Sequence, residues 1–239
     1  MASQYLGQKR REKACEAADQ LVLITAVISA VIMVCAVLFR RGLLETIYHG
    51  IEPDVMENAL TYLVISAVSY PFLAVYNSCA ALFRAMGNSR ISMQASVVMN
   101  VLNIIGDYLL VFVFPMGVAG AALATLVSRI VACVILNIRL RNRSLDICIG
   151  NGPLSWNGDM IRRILHIGIP GGVENSIFQL GRVLVVSIIA TFGTVQIAAN
   201  AVANNLDSMG VLPGQAMNLA MITVIGRCGG AGELGGARD

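Results

Sequence analysis

Long apolar blocks alternate along the chain with short polar breaks. Residues 21–39 and 60–83 are runs of nineteen and twenty-four residues without one charged side chain. A helix needs roughly 20 residues to cross a hydrocarbon layer of about 30 Å, so each block is long enough to span. The pattern recurs over 91–114, 117–138, 166–191 and 195–225, the last with Pro213 as a point for a bend. The breaks at 84–90, 115–116 and 192–194 are short, which makes their flanking helices antiparallel hairpins. Those at 40–59 and 139–165 are longer. No succession of ten-residue segments with alternating hydrophobicity, the mark of a membrane β-barrel, occurs. The expected fold class is therefore all-α, a polytopic membrane bundle of six transmembrane helices.

Composition agrees: 56% of the 239 residues are hydrophobic and 13% charged, with a mean hydropathy of +0.73. Soluble domains carry about 25% charged residues. The first block follows a segment, 2–20, with four Lys/Arg and three Asp/Glu and no small-residue cleavage site, so it does not read as a signal peptide. Placing the amino terminus inside puts thirteen of the seventeen Lys/Arg in cytoplasmic segments, including the run Arg139, Arg141 and Arg143. Positive residues concentrate on the cytoplasmic side, so both termini are expected there. This asymmetry accounts for the net charge of +3; the lipid bilayer is an expected partner and nucleic acid is not. The six cysteines are scattered with no CxxC and no histidine at ligand spacing, which reads as small apolar residues and reduced thiols.

Ionisable groups at bilayer depth are costly and mark candidate sites. The spans hold Asp107, Arg129, Glu174, Arg182 and Asp207. Asn100, Asn103 and Asp107 lie at i, i+3 and i+7, on one helix face. Two amides and a carboxylate offer oxygens suited to a hard cation such as Na⁺, or a proton relay. Ser66, Tyr70 and Asn77 share a face of the preceding span. In the following one, Ala121, Thr125 and Ser128 do so in a Gly/Ala-rich helix, a composition that lets backbones approach closely and carries the Thr125 hydroxyl toward Asp107. The plainer alternative is that Asp107 only touches water at the outer interface. Gln196, Asn200, Asn204 and Asp207 form a stripe that either lines a cavity or bonds to another helix. Arg129 is expected to snorkel to the cytoplasmic side; Arg182 either snorkels or pairs with another span.

The stretches "ALFRAMGNSR", "NVLNIIGDYLLVF", "GVAGAALATLVSRI", "IGIPGGVENSIFQLGR", "FGTVQIAANAVA" and "VIGRCGGAGE" together resemble the multidrug and toxic compound extrusion (MATE) family of efflux transporters. The resemblance implies a two-lobe, twelve-helix fold of which this chain matches helices three to eight. On that reading, 1–20 is a cytoplasmic loop and 21–138 holds four helices of the amino lobe. Residues 139–165 are the inter-lobe linker, 166–225 the first two helices of the carboxy lobe, and 226–239 a loop resembling the first. The missing helices of a longer transporter would then be partners. The resemblance also implies a cation site at Asn77, Asn103, Asp107 and Thr125. The family's acidic residue from its first helix has no counterpart here. One branch's seventh-helix glutamate falls near Phe178 and Gln179, beyond Glu174. Asn100, Asn200, Asn204, Asp207 and Glu174 remain candidate cavity-lining residues.

The function implied is export of amphipathic or cationic small molecules by alternating access, in exchange for Na⁺ or H⁺, across the plasma membrane. No cofactor beyond that ion, and no metal site beyond Na⁺ at Asp107, is expected. Two alternatives stay open: a lipid-linked-sugar flippase of the same superfamily, and a non-transporting fragment, for which the chain alone would give no cation-dependent efflux. An enzyme is not expected. "IIGD" lacks the first glycine of the membrane aspartyl protease motif, and no HExxH occurs.

Overall fold

The computed structural model describes residues 2–47, 53–142, 145–150, 157–190 and 194–231. They fold into α1 (Ala2–Gly7), α2 (Arg11–Leu38), α3 (Arg40–Ile47), α4 (Pro53–Ala85), α5 (Ser89–Asp107), a π-helical segment (Tyr108–Val113), α6 (Gly117–Leu140), α7 (Gly158–Ala190) and α8 (Thr194–Ala231). Among the described residues there is no strand. Among them six helices are long and apolar enough to cross a membrane, as the hydrophobic blocks predict. Pro71, Pro170 and Pro213 lie inside helices; membrane helices tolerate such breaks where neighbouring groups take up the freed backbone atoms.

The chain divides into two compact units, Met1–Trp156 and Asn157–Asp239. In the first, α4 packs against α2 and α6, and α5 packs against α6. Its core joins Ala14 and Ala18 of α2, Phe83 and Leu82 of α4, and Leu136 and Leu140 of α6. Alanines on the inner faces allow the helices to approach closely, and packing rather than hydrophobic exclusion drives association in lipid. α4 ends at Ala85, and two residues on Gly87 takes a φ of 76°, open to a residue without a Cβ. There Gly87 N–H donates to Arg84 O (2.8 Å) and Asn88 N–H to Phe83 O (3.0 Å), satisfying carbonyls that the helix end leaves bare. The second unit is the antiparallel pair α7 and α8, whose apolar side chains, Phe178 and Leu206 among them, are largely exposed.

Two features add detail to the sequence reading. The segment expected as one helix over 91–114 changes to π-helix after Asp107, with Phe114 N–H donating to Leu109 O at 2.9 Å. The widened turn lies where Gly120 of α6 approaches the Leu110 backbone. Within the expected linker, residues 145–150 fold onto the first unit. Arg11 donates to Leu145 O (2.6 Å), Ile147 N–H to Met86 Sδ (3.3 Å), and Gly150 N–H to Asp19 Oδ1 (2.9 Å). The described part of the closing loop continues α8 to Ala231; residues 232–239 lie outside the described residues, as do 48–52, 143–144, 151–156 and 191–193.

The same contact places two thiols together. Cys148 is buried, its N–H donates to Cys15 Sγ (3.2 Å), and the two sulfurs are 3.3 Å apart. Peroxide is expected to convert them to a disulfide, the two thiols giving up two protons and two electrons as the peroxide becomes water. Peptide mass spectrometry of oxidised membranes should find Cys15 linked to Cys148, and Cys15→Ser should abolish the link. Unchanged alkylation of both thiols after oxidation would show that 145–150 is not packed on α2.

Candidate functional site

The polar positions of α5 and α6 converge around Asp107. Asn103 and Asp107 are one turn apart on α5, and both are partly buried. Asn103 Nδ2 donates to Thr125 Oγ1 of α6 at 3.3 Å, so residues chosen separately from two helix faces meet. The Thr125 hydroxyl does not turn to Asp107, as its face suggests. It donates back to Ala121 O at 3.0 Å within α6, an i−4 bond open to any helical threonine. Asp107 Oδ1 is buried and has no hydrogen-bond partner among the described residues. An unpaired carboxylate oxygen away from water is costly; a proton or a bound cation would remove that cost. Asn103 and Thr125, one hydrogen bond apart, carry side-chain oxygens of the kind that suits a hard cation. Among the described residues, no three His, Cys, Asp or Glu side chains gather to hold a metal.

Close helix packing makes this geometry. A Cβ placed on Gly106 would lie 2.9 Å from Ala124 Cβ, and one on Gly120 would lie 2.8 Å from Leu110 O. The two glycines therefore fix the spacing of α5 and α6 on either side of Asp107. The π-helical turn begins directly after Asp107, and such turns concentrate at functional sites.

The other predicted residues are placed differently. Asn77 and Asn100 are exposed on α4 and α5. Near them, Tyr76 and Ser96 join α4 to α5 through a 2.6 Å hydrogen bond. In the second unit Asn200 and Asn204 are partly buried, whereas Glu174, Asp207 and Gln196 are exposed. Arg129 turns inward rather than snorkelling: its guanidinium donates to the buried Ser69 hydroxyl, which in turn donates to Ser66 O at 2.6 Å. Sequence reasoning missed Ser69. Its only signal is that Arg129 needs a partner and a serine on a packed helix is one.

Six helices among the described residues, each long and apolar enough to cross a membrane, define a multi-pass helical membrane protein. The family model described as MatE matches residues 1–109 and 170–239, and the chain belongs to that family. It is 29% identical to the "Probable multidrug resistance protein NorM" of Thermotoga maritima over 198 residues, 80% of this chain and 42% of that one. It is 26% identical to the "Uncharacterized transporter YisQ" of Bacillus subtilis, over 99% of this chain and 52% of that one. Among solved structures, a mutant of the Vibrio cholerae MATE transporter VcmN matches with a TM-score of 0.88 and 24% identity, over 100% of this chain and 53% of that one. A MATE in complex with MaL6 matches with a TM-score of 0.90 and 21% identity, over 99% and 53%. The chain thus spans about half the length of the relatives it matches.

Proposed function

We propose that this chain forms part of a cation-coupled antiporter that exports amphipathic or cationic small molecules across the plasma membrane by alternating access, with both termini cytoplasmic. The observation that carries the reading is the unpartnered buried oxygen of Asp107 beside the Asn103–Thr125 hydrogen bond, in a chain of the MatE family. Asp107 holds the coupling ion, Na⁺ or H⁺; Asn103 and Thr125 are the neighbouring oxygen donors, with Asn77 assigned to the same site by family resemblance alone. Loading changes the charge at Asp107 and thereby biases the packing of α5 against α6. Only an ion with different affinity for two conformations can drive such a shift. The role is transport rather than catalysis.

The test is ethidium movement in membrane vesicles containing the native protein. An imposed Na⁺ or H⁺ gradient is expected to drive ethidium against its own gradient, and collapsing that gradient with the matching ionophore is expected to stop it. Ethidium efflux indifferent to both gradients would remove the coupling from this reading.

A further inference from the structure

Three sulfur atoms come together where residues 145–150 lie against the first unit. Cys15 Sγ of α2 is 3.3 Å from Cys148 Sγ and accepts the Cys148 N–H at 3.2 Å. The preceding amide, that of Ile147, donates to Met86 Sδ at 3.3 Å, just beyond the end of α4. Two consecutive amides of one segment thus hold a thiol and a thioether from distant parts of the chain, with a second thiol on the segment itself. Ile147 and Cys148 are buried, whereas Cys15 and Met86 are partly exposed, so the sulfurs are sheltered but reachable. The spacing of the cysteines does not signal such a site, because 133 positions separate the pair.

Two sulfurs bound at about 2.3 Å to one tetrahedral metal stand about 3.8 Å apart. From 3.3 Å the thiols need to part by only about half an ångström to admit one. Met86 is unbranched, with three rotatable bonds, and can turn its sulfur into a third position. Among the described residues no His, Asp or Glu side chain completes a three-ligand group with the two cysteines. Zinc sites are completed by Cys, His or carboxylate, whereas thiolate and thioether ligands select Cu(I). Charge agrees with that choice. Cu(I) with two thiolates carries one net negative charge, and Arg11, one turn before Cys15 on α2, is anchored nearby by donating to Leu145 O at 2.6 Å. A neighbouring guanidinium favours thiolate over thiol. We propose that Cys15, Cys148 and Met86 form a binding site for monovalent copper. On binding, the two S–H bonds break, the protons pass to solvent, and three sulfur–copper bonds form with no change in the oxidation state of the metal. The bound ion ties residues 145–150 to α2. The disulfide formed by peroxide and the copper site are alternative states of one sulfur pair, and neither depends on the export reading.

The purified native protein, reduced and kept under nitrogen in detergent, is titrated with Cu(I) in competition with bicinchoninate, and the complex is examined by X-ray absorption. The wild type is expected to withhold one Cu(I) per chain, with only sulfur neighbours at about 2.3 Å. Cys15→Ser and Cys148→Ser are expected to weaken binding by at least about 100-fold, beyond the 10–100-fold typical of changes outside the ligand shell. Met86→Leu should weaken it by about tenfold, within that range, and Cys35→Ser should leave it unchanged. Peroxide treatment that links Cys15 to Cys148 should abolish binding, and reduction should restore it. The wild-type arms need no variant to fold: no retained copper, nitrogen or oxygen neighbours around it, displacement by an equal amount of Zn²⁺, or binding that survives the disulfide would each overturn the proposal. So would full binding by Cys15→Ser or Cys148→Ser, which would place the metal at other thiols, and full binding by Met86→Leu would remove the thioether from the site.

Discussion

Asp107→Asn is expected to abolish gradient-driven ethidium efflux while leaving the protein inserted and at least as stable to heat as the wild type. The substitution nearly conserves shape, so the close seat of Gly106 against Ala124 is undisturbed. What it removes is the carboxylate. Taking one partner from a buried ionic pair typically costs about 3–5 kcal/mol, so the affinity for the ion falls by at least about 100-fold. The stability effect runs the other way. Among the described residues Oδ1 is a buried acceptor without a partner, and replacing a carboxylate with a neutral amide lessens that penalty. Function lost with stability kept or raised is the signature of a strained working site. Efflux at wild-type rates would take Asp107 out of the mechanism, and a variant that fails to insert would make its role structural.

The helices were legible from sequence because lipid imposes one simple rule. A span needs an apolar run of sufficient length, and the runs at 21–39 and 60–83 read directly as parts of α2 and α4. The Asn103–Thr125 contact of the candidate site was legible for a related reason. Asn103 and Thr125 are polar residues on helix faces that lipid cannot solvate, so each had to find a partner. What stayed hidden depends on contacts between segments far apart in the chain. Cys15 and Cys148 are separated by 133 positions, and no local pattern joins them. Arg129 finds Ser69 across 60 positions, where its place near a helix end argued for snorkelling. The Thr125 hydroxyl had two acceptors in prospect, and the nearer one, on its own helix, won. Asn77 shared a face with Ser66 and Tyr70, but a shared face does not say toward which neighbour it turns, and Asn77 is exposed.

Gly120→Ala is expected to destabilise the protein by about 2 kcal/mol, within the range typical of overpacking. Helix propensity alone predicts the opposite sign, since alanine is favoured over glycine by roughly 1 kcal/mol inside a helix. Packing should prevail because the new Cβ would meet backbone: Leu110 O at 2.8 Å and Leu110 C at 3.0 Å, in the π-helical turn after Asp107. No side-chain rotation relieves that clash. Gly106→Ala differs in one respect. Its Cβ would meet Ala124 Cβ at 2.9 Å, with Ala124 Cα further off at 3.4 Å, so removing the opposing methyl makes room. Ala124→Gly should therefore restore most of the stability lost in Gly106→Ala, with a coupling energy of about 1 kcal/mol or more in thermal unfolding of the native protein in detergent. Gly120→Ala has no such rescue at position 124. Both single variants push α5 away from α6, so both should also lengthen the Asn103–Thr125 contact and weaken ion binding at Asp107. A Gly120→Ala protein as stable as wild type would mean that propensity outweighs contact here, and that α5 and α6 are not held together at the spacing that brings Asn103 to Thr125.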